Sequence, residues 1–140
     1  MSTITAKFVY CERVVFDPSS NPPKSGIQNV LPVISPIAIP SNYTFTISCS
    51  IFGLDSSRTN RIRIFFHLKD DESIDVLDTK EIQIPEVQNT LSEGNTLSRP
   101  VQFNLEMFNF AFKQKGMHVT ELFVNGEKIE EAEIEVVLPK

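Results

Sequence analysis

The run Tyr43-Thr44-Phe45-Thr46-Ile47-Ser48-Cys49-Ser50-Ile51 alternates without a miss: each odd position is apolar or aromatic, each even one a small hydroxyl residue. A period of two sends successive side chains to opposite faces, so the segment makes a half-buried β-strand and not an amphipathic helix. Arg61-Ile62-Arg63-Ile64-Phe65-Phe66-His67-Leu68 repeats the pattern, with Ile62, Ile64, Phe66 and Leu68 inward. Ile4, Ala6, Phe8 and Tyr10 form a third inward set. The apolar stock agrees: 14 Ile, 12 Val and 11 Phe stand against nine Leu and four Ala. Ile, Val and Phe suit a pleated surface, whereas Ala and Leu lead the helix scale, so a helical bundle or coiled coil is excluded. An α/β nucleotide-binding fold is disfavoured on the same ground.

Turns separate the strands. Val119–Val124 meets Glu127–Val137 across Asn125-Gly126, the preferred pair for a two-residue hairpin with positive φ. The last strand puts Ala132, Ile134, Val136 and Leu138 on one face and Glu131, Glu133 and Glu135 on the other. Val101, Phe103, Leu105 and Met107 keep odd register, then Phe108, Phe110 and Phe112 keep even register. A bulge near Met107 accounts for that shift, and a short helix over Asn104–Lys115 is the alternative. The phenylalanines favour the strand. Shorter strands are expected at Ile27–Leu31, Ile74–Leu77 and Lys80–Ile84. Loops are expected at Asp17–Gly26, Glu86–Arg99 and the acidic corner Asp70-Asp71-Glu72-Ser73. Pro32, Pro36 and Pro40 confine their segment to a sheet edge or a crossing between sheets, since proline donates no ladder bond. The expectation is one domain over residues 1–140, an all-β antiparallel sandwich of seven to nine strands with Ig-like or related topology. A small barrel is the alternative. A chain of this length buries about 70% of its unfolded surface, enough for a core without disulfides or metal.

The residues offer little chemistry. The formal net charge is -5. The start of the chain lacks a charged segment leading into an apolar run, and no stretch reaches the ~18 apolar residues of a membrane helix. A cytoplasmic protein with no membrane partner is expected. Cys11 and Cys49 have no CxxC spacing and read as thiols, with a Cys11–Cys49 bridge disfavoured. His67 and His118 stand in no catalytic motif, there is no GxSxG, and the register of Cys49 turns it into the core. The His and Cys residues lack zinc spacing. Asp70, Asp71, Glu72, Asp75 and Asp78 suggest a calcium corner but lack regular ligand spacing, and a solvated hairpin tip explains them better. No glycine-rich phosphate loop occurs. No cofactor, small-molecule substrate or enzymatic activity is expected.

Charge is nevertheless segregated. Between Ser57 and Lys69 stand Arg58, Arg61, Arg63 and Lys69 with no acid, while Glu121–Lys140 holds six Glu against two Lys. Arg61, Arg63 and His67 share a strand face with Phe65, a set that suits a phosphate backbone and a stacked base. The plainer reading pairs Arg61 and Arg63 with an acid on a neighbouring strand such as Glu133 or Glu135, and the net acidity favours it. The leading expectation is therefore a non-enzymatic binding or assembly module, acting on a protein partner or on itself through a sheet face or loops. The alternative is nucleic-acid or anion binding through Arg58, Arg61, Arg63, Phe65, His67 and Lys69. Phe65, Phe108, Phe110 and Phe112 exceed what a simple sandwich needs and mark where a binding surface is first sought.

The segment Gly116-Met117-His118-Val119-Thr120-Glu121-Leu122-Phe123-Val124-Asn125-Gly126-Glu127-Lys128-Ile129 resembles the closing hairpin of a group of small uncharacterised bacterial proteins. Cys11-Glu12 at the end of the first strand, and Ile39-Pro40-Ser41 before the strand from Tyr43, are similar to features of that group. The resemblance implies a single-domain β-sandwich and carries no activity or site residues.

Overall fold

The computed structural model describes residues 3–19, 24–55, 57–86 and 100–139. They form β1 (Thr5–Asp17), β2 (Lys24–Val30), β3 (Val33–Ile34), β4 (Ser41–Phe52), β5 (Asn60–Leu68), β6 (Leu77–Asp78), β7 (Ile82–Ile84), β8 (Val101–Phe112), β9 (Gly116–Val124) and β10 (Glu127–Val136). One sheet has the order β2-β1-β4-β8; the other runs β3-β10-β9-β5-β6, with β7 also on β5. Every pairing is antiparallel except the two-residue contact of β3 with β10. The fold is an all-β sandwich, and strands of two or three residues (β3, β6, β7) bring the count to ten.

Alternation decides which face is buried. From β4, Phe45, Ile47, Cys49 and Ile51 point inward, and from β5, Ile62, Ile64 and Phe66 do the same, all fully buried. Ala6 and Tyr10 of β1, Leu122 and Val124 of β9, and Ile134 and Val136 of β10 also belong to the core. Each such large apolar side chain contributes about 1.5–3 kcal/mol through burial. The prolines fall where the missing donors are harmless: the chain leaves the first sheet after β2, touches the edge of the second as β3, and returns as β4. The hairpin at Asn125 (φ 52°) and Gly126 (φ 85°) forms as its sequence requires.

The register shift in β8 is a bulge. Tyr43 opposes Phe110 and Phe45 opposes Met107, so Phe108 and Asn109 together face Thr44. Asn109 takes the positive φ of 49°, a conformation asparagine tolerates, and its N–H donates to Thr44 Oγ1 at 3.0 Å. The helix alternative over Asn104–Lys115 is thereby excluded. Phe110 and Phe112 turn inward and pack against Phe45 and Phe66, while Phe108 points out. Several boundaries differ from expectation; the strand over Lys80–Ile84, for one, forms only at Ile82–Ile84. The expected loop over Asp17–Gly26 gives way to β2 from Lys24, and the expected strand over Ile74–Leu77 forms only at Leu77 because Asp75 sits at φ 56°. Of the loop expected at Glu86–Arg99, residues 87–99 lie outside the described residues.

Two buried polar contacts fix the sheets. The Tyr10 hydroxyl, on β1, hydrogen-bonds Thr120 Oγ1 on β9 and donates to the Ala132 carbonyl at 3.3 Å on β10, linking the two sheets. Burial pushes its phenol up to about 12, with the Thr120 contact opposing and Glu133 adding to the rise. At one end of the sandwich, His118 and Asp75 are both sealed from solvent, with Nε2 and Oδ2 2.9 Å apart. Nδ1 of His118 donates to the Gly116 carbonyl at 3.0 Å. Asp75 also accepts from the Lys113 N–H at 2.8 Å and the Gln114 N–H at 3.3 Å. The His118 ring stacks on Phe66 and meets Phe112 edge-on. A residue that the sequence places beside a turn is therefore a core residue.

Two outcomes follow for stability. Because the Tyr10 phenol ionises at 10.0 when unperturbed and near 12 when folded, its contribution is complete below pH 10 and is lost as pH rises toward 12. Tyr10→Phe should cost about 1 kcal/mol at neutral pH and flatten that alkaline decline, measured by urea unfolding at a series of pH values. Asp75→Asn keeps a side chain that tolerates positive φ but removes the charge and one acceptor oxygen. It should destabilise the fold by about 3–5 kcal/mol in the same assay, far more than any change at the exposed acids Asp70 or Asp71.

Candidate functional site

β5 is the strand that the sequence marks for function, and its outward residues are Arg61, Arg63, Phe65 and His67. Neighbouring strands add Glu121 and Phe123 from β9 and Lys128, Glu131 and Glu133 from β10, by register. The face is a lattice of opposed charges. Arg63 makes two hydrogen bonds to Asp78, at 2.9 and 2.8 Å, while its guanidinium lies over the rings of Phe65 and Phe123 at 4.9 and 5.4 Å. Those bonds hold the Asp78 carboxyl well below the usual carboxylate range and raise Arg63 further. Arg61 reaches Glu81 at 3.5 Å with both side chains about half exposed, and Lys69 reaches Glu133 at 2.8 Å. Lys128 bridges Glu131 and Glu121, which raises the ammonium.

The structure thus gathers Arg61, Arg63, Phe65 and His67 on one face, with Lys69 just beyond the strand end. Arg58 stands apart in the loop before β5, exposed and near Asp55. The acids that neutralise Arg61 and Arg63 are Glu81 and Asp78, on or beside β7 and β6, not Glu133 or Glu135 on β10. The expected partner was on the wrong side because β5 has the short strands as its other neighbours, and two- or three-residue strands leave almost no periodic signal. Phe65 is half-buried beneath Arg63 and against the His67 ring, 4.5 Å between centroids. It presents no free stacking platform.

The acidic corner divides among different partners. Asp71 accepts from Ser73 N–H and Oγ, which lowers its carboxyl. Asp75 goes into the core, and Asp78 to Arg63. Glu72 alone approaches another pair, His67 and Glu121. His67 is buried despite its outward register, with Nδ1 2.6 Å from the Leu68 carbonyl and Nε2 3.1 Å from Glu121 Oε1. The thiols are separate and free: Cys49 faces the core, where burial pushes it up to about 12, and Cys11 lies on the other face of the same sheet. A bridge between them is not formed.

A surface that the sequence reading missed lies on the first sheet. β1 pairs β4 only through Cys11, and beyond it continues with β2 alone, from Cys11 opposite Val30 to Asp17 opposite Lys24. This two-stranded arm exposes Val15, Phe16 (61%), Ile27 and Val30 (63%), and every residue of β2 is exposed. The available signal was the run Val14-Val15-Phe16 before the expected loop and the expected strand from Ile27 after it, whose pairing was not drawn. Phe108, also exposed, borders an open groove of about 620 Å³ with Glu12, Arg13, Thr44, Thr46 and Glu106. Of the phenylalanines singled out from sequence, Phe108 alone stands clear of the core and of its own strand neighbours.

Among the described residues, no helix is long and apolar enough to cross a membrane. No protein-family model matches the chain, nor does any curated protein. Among solved structures, a β-glucosidase from Listeria innocua aligns over 96% of this chain and 16% of its own, with 12% identity and a TM-score of 0.47. An alkylpurine DNA glycosylase from Pseudomonas fluorescens, bound to DNA containing an abasic site analog, aligns over 96% of this chain and 30% of its own. Its identity is 12% and its TM-score 0.45. The chain spans less than a third of the length of either protein.

Proposed function

We propose that this chain is a non-enzymatic assembly module that associates with a second copy of itself through the β1–β2 arm. The observation that carries this reading is the arm's apolar surface: Val15, Phe16, Ile27 and Val30 are exposed on a ribbon only two strands wide. A lone two-stranded ribbon is marginal in water and gains stability from a third strand or a packed surface. β2 offers a free edge of seven residues whose one charged side chain is Lys24, so like-charge repulsion does not guard it. Two copies related by a two-fold axis pair β2 with β2, bury Ile27 on both, and close the assembly at a dimer. The separate, free thiols Cys11 and Cys49 support a reducing, cytoplasmic setting.

Nucleic-acid or anion binding through Arg61 and Arg63 has less support, because each guanidinium already has a carboxylate partner on its own surface. An enzymatic reading has less still: His118 and Asp75 are sealed in the core, and burial holds Cys49 in the unreactive thiol form.

Light scattering across a concentration series tests the proposal. The wild-type chain should approach twice its monomer mass, and a Phe16→Ser, Ile27→Lys variant should remain monomeric and folded, with a thermal melt that no longer depends on concentration. A wild-type chain that stays monomeric at every concentration overturns it. A salt-sensitive shift of labelled oligonucleotide, lost on Arg61→Glu with Arg63→Glu, would favour the phosphate-binding reading instead.

A further inference from the structure

We infer that His67, Glu72 and Glu121 form a site for one first-row divalent metal ion, of which zinc is the best fit. One ligand atom from each residue lies within 4.8 Å of the other two, and among the described residues no other three such groups come together. The sequence hides the set, because Glu72 follows His67 by a turn and Glu121 arrives from the adjacent strand β9.

The histidine is already oriented as a ligand. Its Nδ1 is 2.6 Å from the Leu68 carbonyl, which only accepts, so Nδ1 carries the proton. That arrangement, one ring nitrogen donating to a backbone carbonyl, is how metal-binding histidines are usually held, and it leaves Nε2 as the metal-facing atom. Nε2 in turn faces Glu121 Oε1 at 3.1 Å. A lone pair pointing at a carboxylate is unfavourable unless a cation, a proton or a metal ion, stands between them. The ring is fixed from the side by Phe65 and is 2% exposed, so little water competes for Nε2.

The carboxylates are also suitably held. Lys128 Nζ engages Oε2 of Glu121 at 2.9 Å, which leaves Oε1 turned to the ring. Glu72 sits on an exposed turn and can move toward the ion. Two neighbouring cations are committed elsewhere, Arg63 to Asp78 by two bonds and Lys69 to Glu133, whereas Lys128 is shared between Glu121 itself and Glu131. Arg63 and Lys128 still oppose a divalent charge and limit the affinity.

Ligand type selects the ion. One imidazole nitrogen and two carboxylate oxygens suit a borderline ion, whereas calcium and magnesium prefer oxygen alone. Tetrahedral zinc with ligands at about 2.0–2.2 Å needs donor atoms about 3.3 Å apart, a contraction within reach of the Glu72 turn. Water would complete the fourth position.

The test is calorimetric titration of chelator-treated protein with zinc chloride. One ion per chain is expected, and calcium should not compete. Glu72→Gln, on an exposed turn, should weaken zinc at least tenfold without changing the apo melting temperature, and His67→Gln should abolish uptake. Lys128→Met should tighten it. Zinc should raise the melting temperature of the wild type and leave that of Glu72→Gln little changed. Absence of uptake, or uptake that Glu72→Gln and His67→Gln leave unaltered, overturns the assignment.

Discussion

The buried contact between Asp75 and His118 governs one end of the sandwich. Three chain segments meet there: the turn after β5 that carries Asp75, the turn from β8 into β9 that offers the Lys113 and Gln114 N–H groups, and the start of β9 itself. A buried carboxylate left without donors, or an imidazole left without an acceptor, costs several kcal/mol, so none of the three can move alone. The pair also sets the neighbouring packing. The imidazole lies flat on Phe66 and edge-on to Phe112, and Phe112 reaches that position only because the Phe108–Asn109 bulge reverses the register of β8. A polar contact and an irregular strand are thus two parts of one solution.

The outer face of the second sheet follows a different rule. There, every named cation meets a carboxylate at the surface, where such pairs contribute little to stability but do cancel one another's fields. The segregation of charge along the chain therefore vanishes in space. The base-rich strand β5 is flanked by Asp78 and Glu81 on one side and by Glu121 on the other, so a basic stripe in the sequence becomes a lattice of paired charges in the fold.

How much was legible beforehand depended on the length of each signal. The core residues of β4 and β5, the Asn125-Gly126 hairpin and the break in β8 were readable because each rests on local periodicity or turn chemistry over several residues. Asp75 and His118 were not: they stand 43 residues apart, and a histidine inward on a strand has no pattern of its own. His67 shows the converse error. Its register correctly placed it outward, yet Phe65, Glu121 and the turn bearing Glu72 cover it, because burial also depends on what lies across the strand. The β1–β2 arm was legible only in part: a strand was expected from Ile27, but the proline- and serine-rich connection hid its start at Lys24 and its pairing with the end of β1.

The two unusual surfaces lie on different sheets, and that separation has a consequence. The arm belongs to the edge of the first sheet, whereas His67, Glu72 and Glu121 face outward from the second. Pairing through β2 extends the first sheet sideways and leaves the outer face of the second uncovered. The core between them is close-packed, with Phe45, Phe66, Phe110 and Phe112 in mutual ring contact, so the faces are held rigidly with respect to one another. Among the described residues the two surfaces share no strand edge and no side chain, and the physical warrant for coupling two sites is a two-state element that both bias. Association through the arm and occupancy of the His67 cluster should then be independent: each is a property of its own sheet, and the common core fixes only the distance between them.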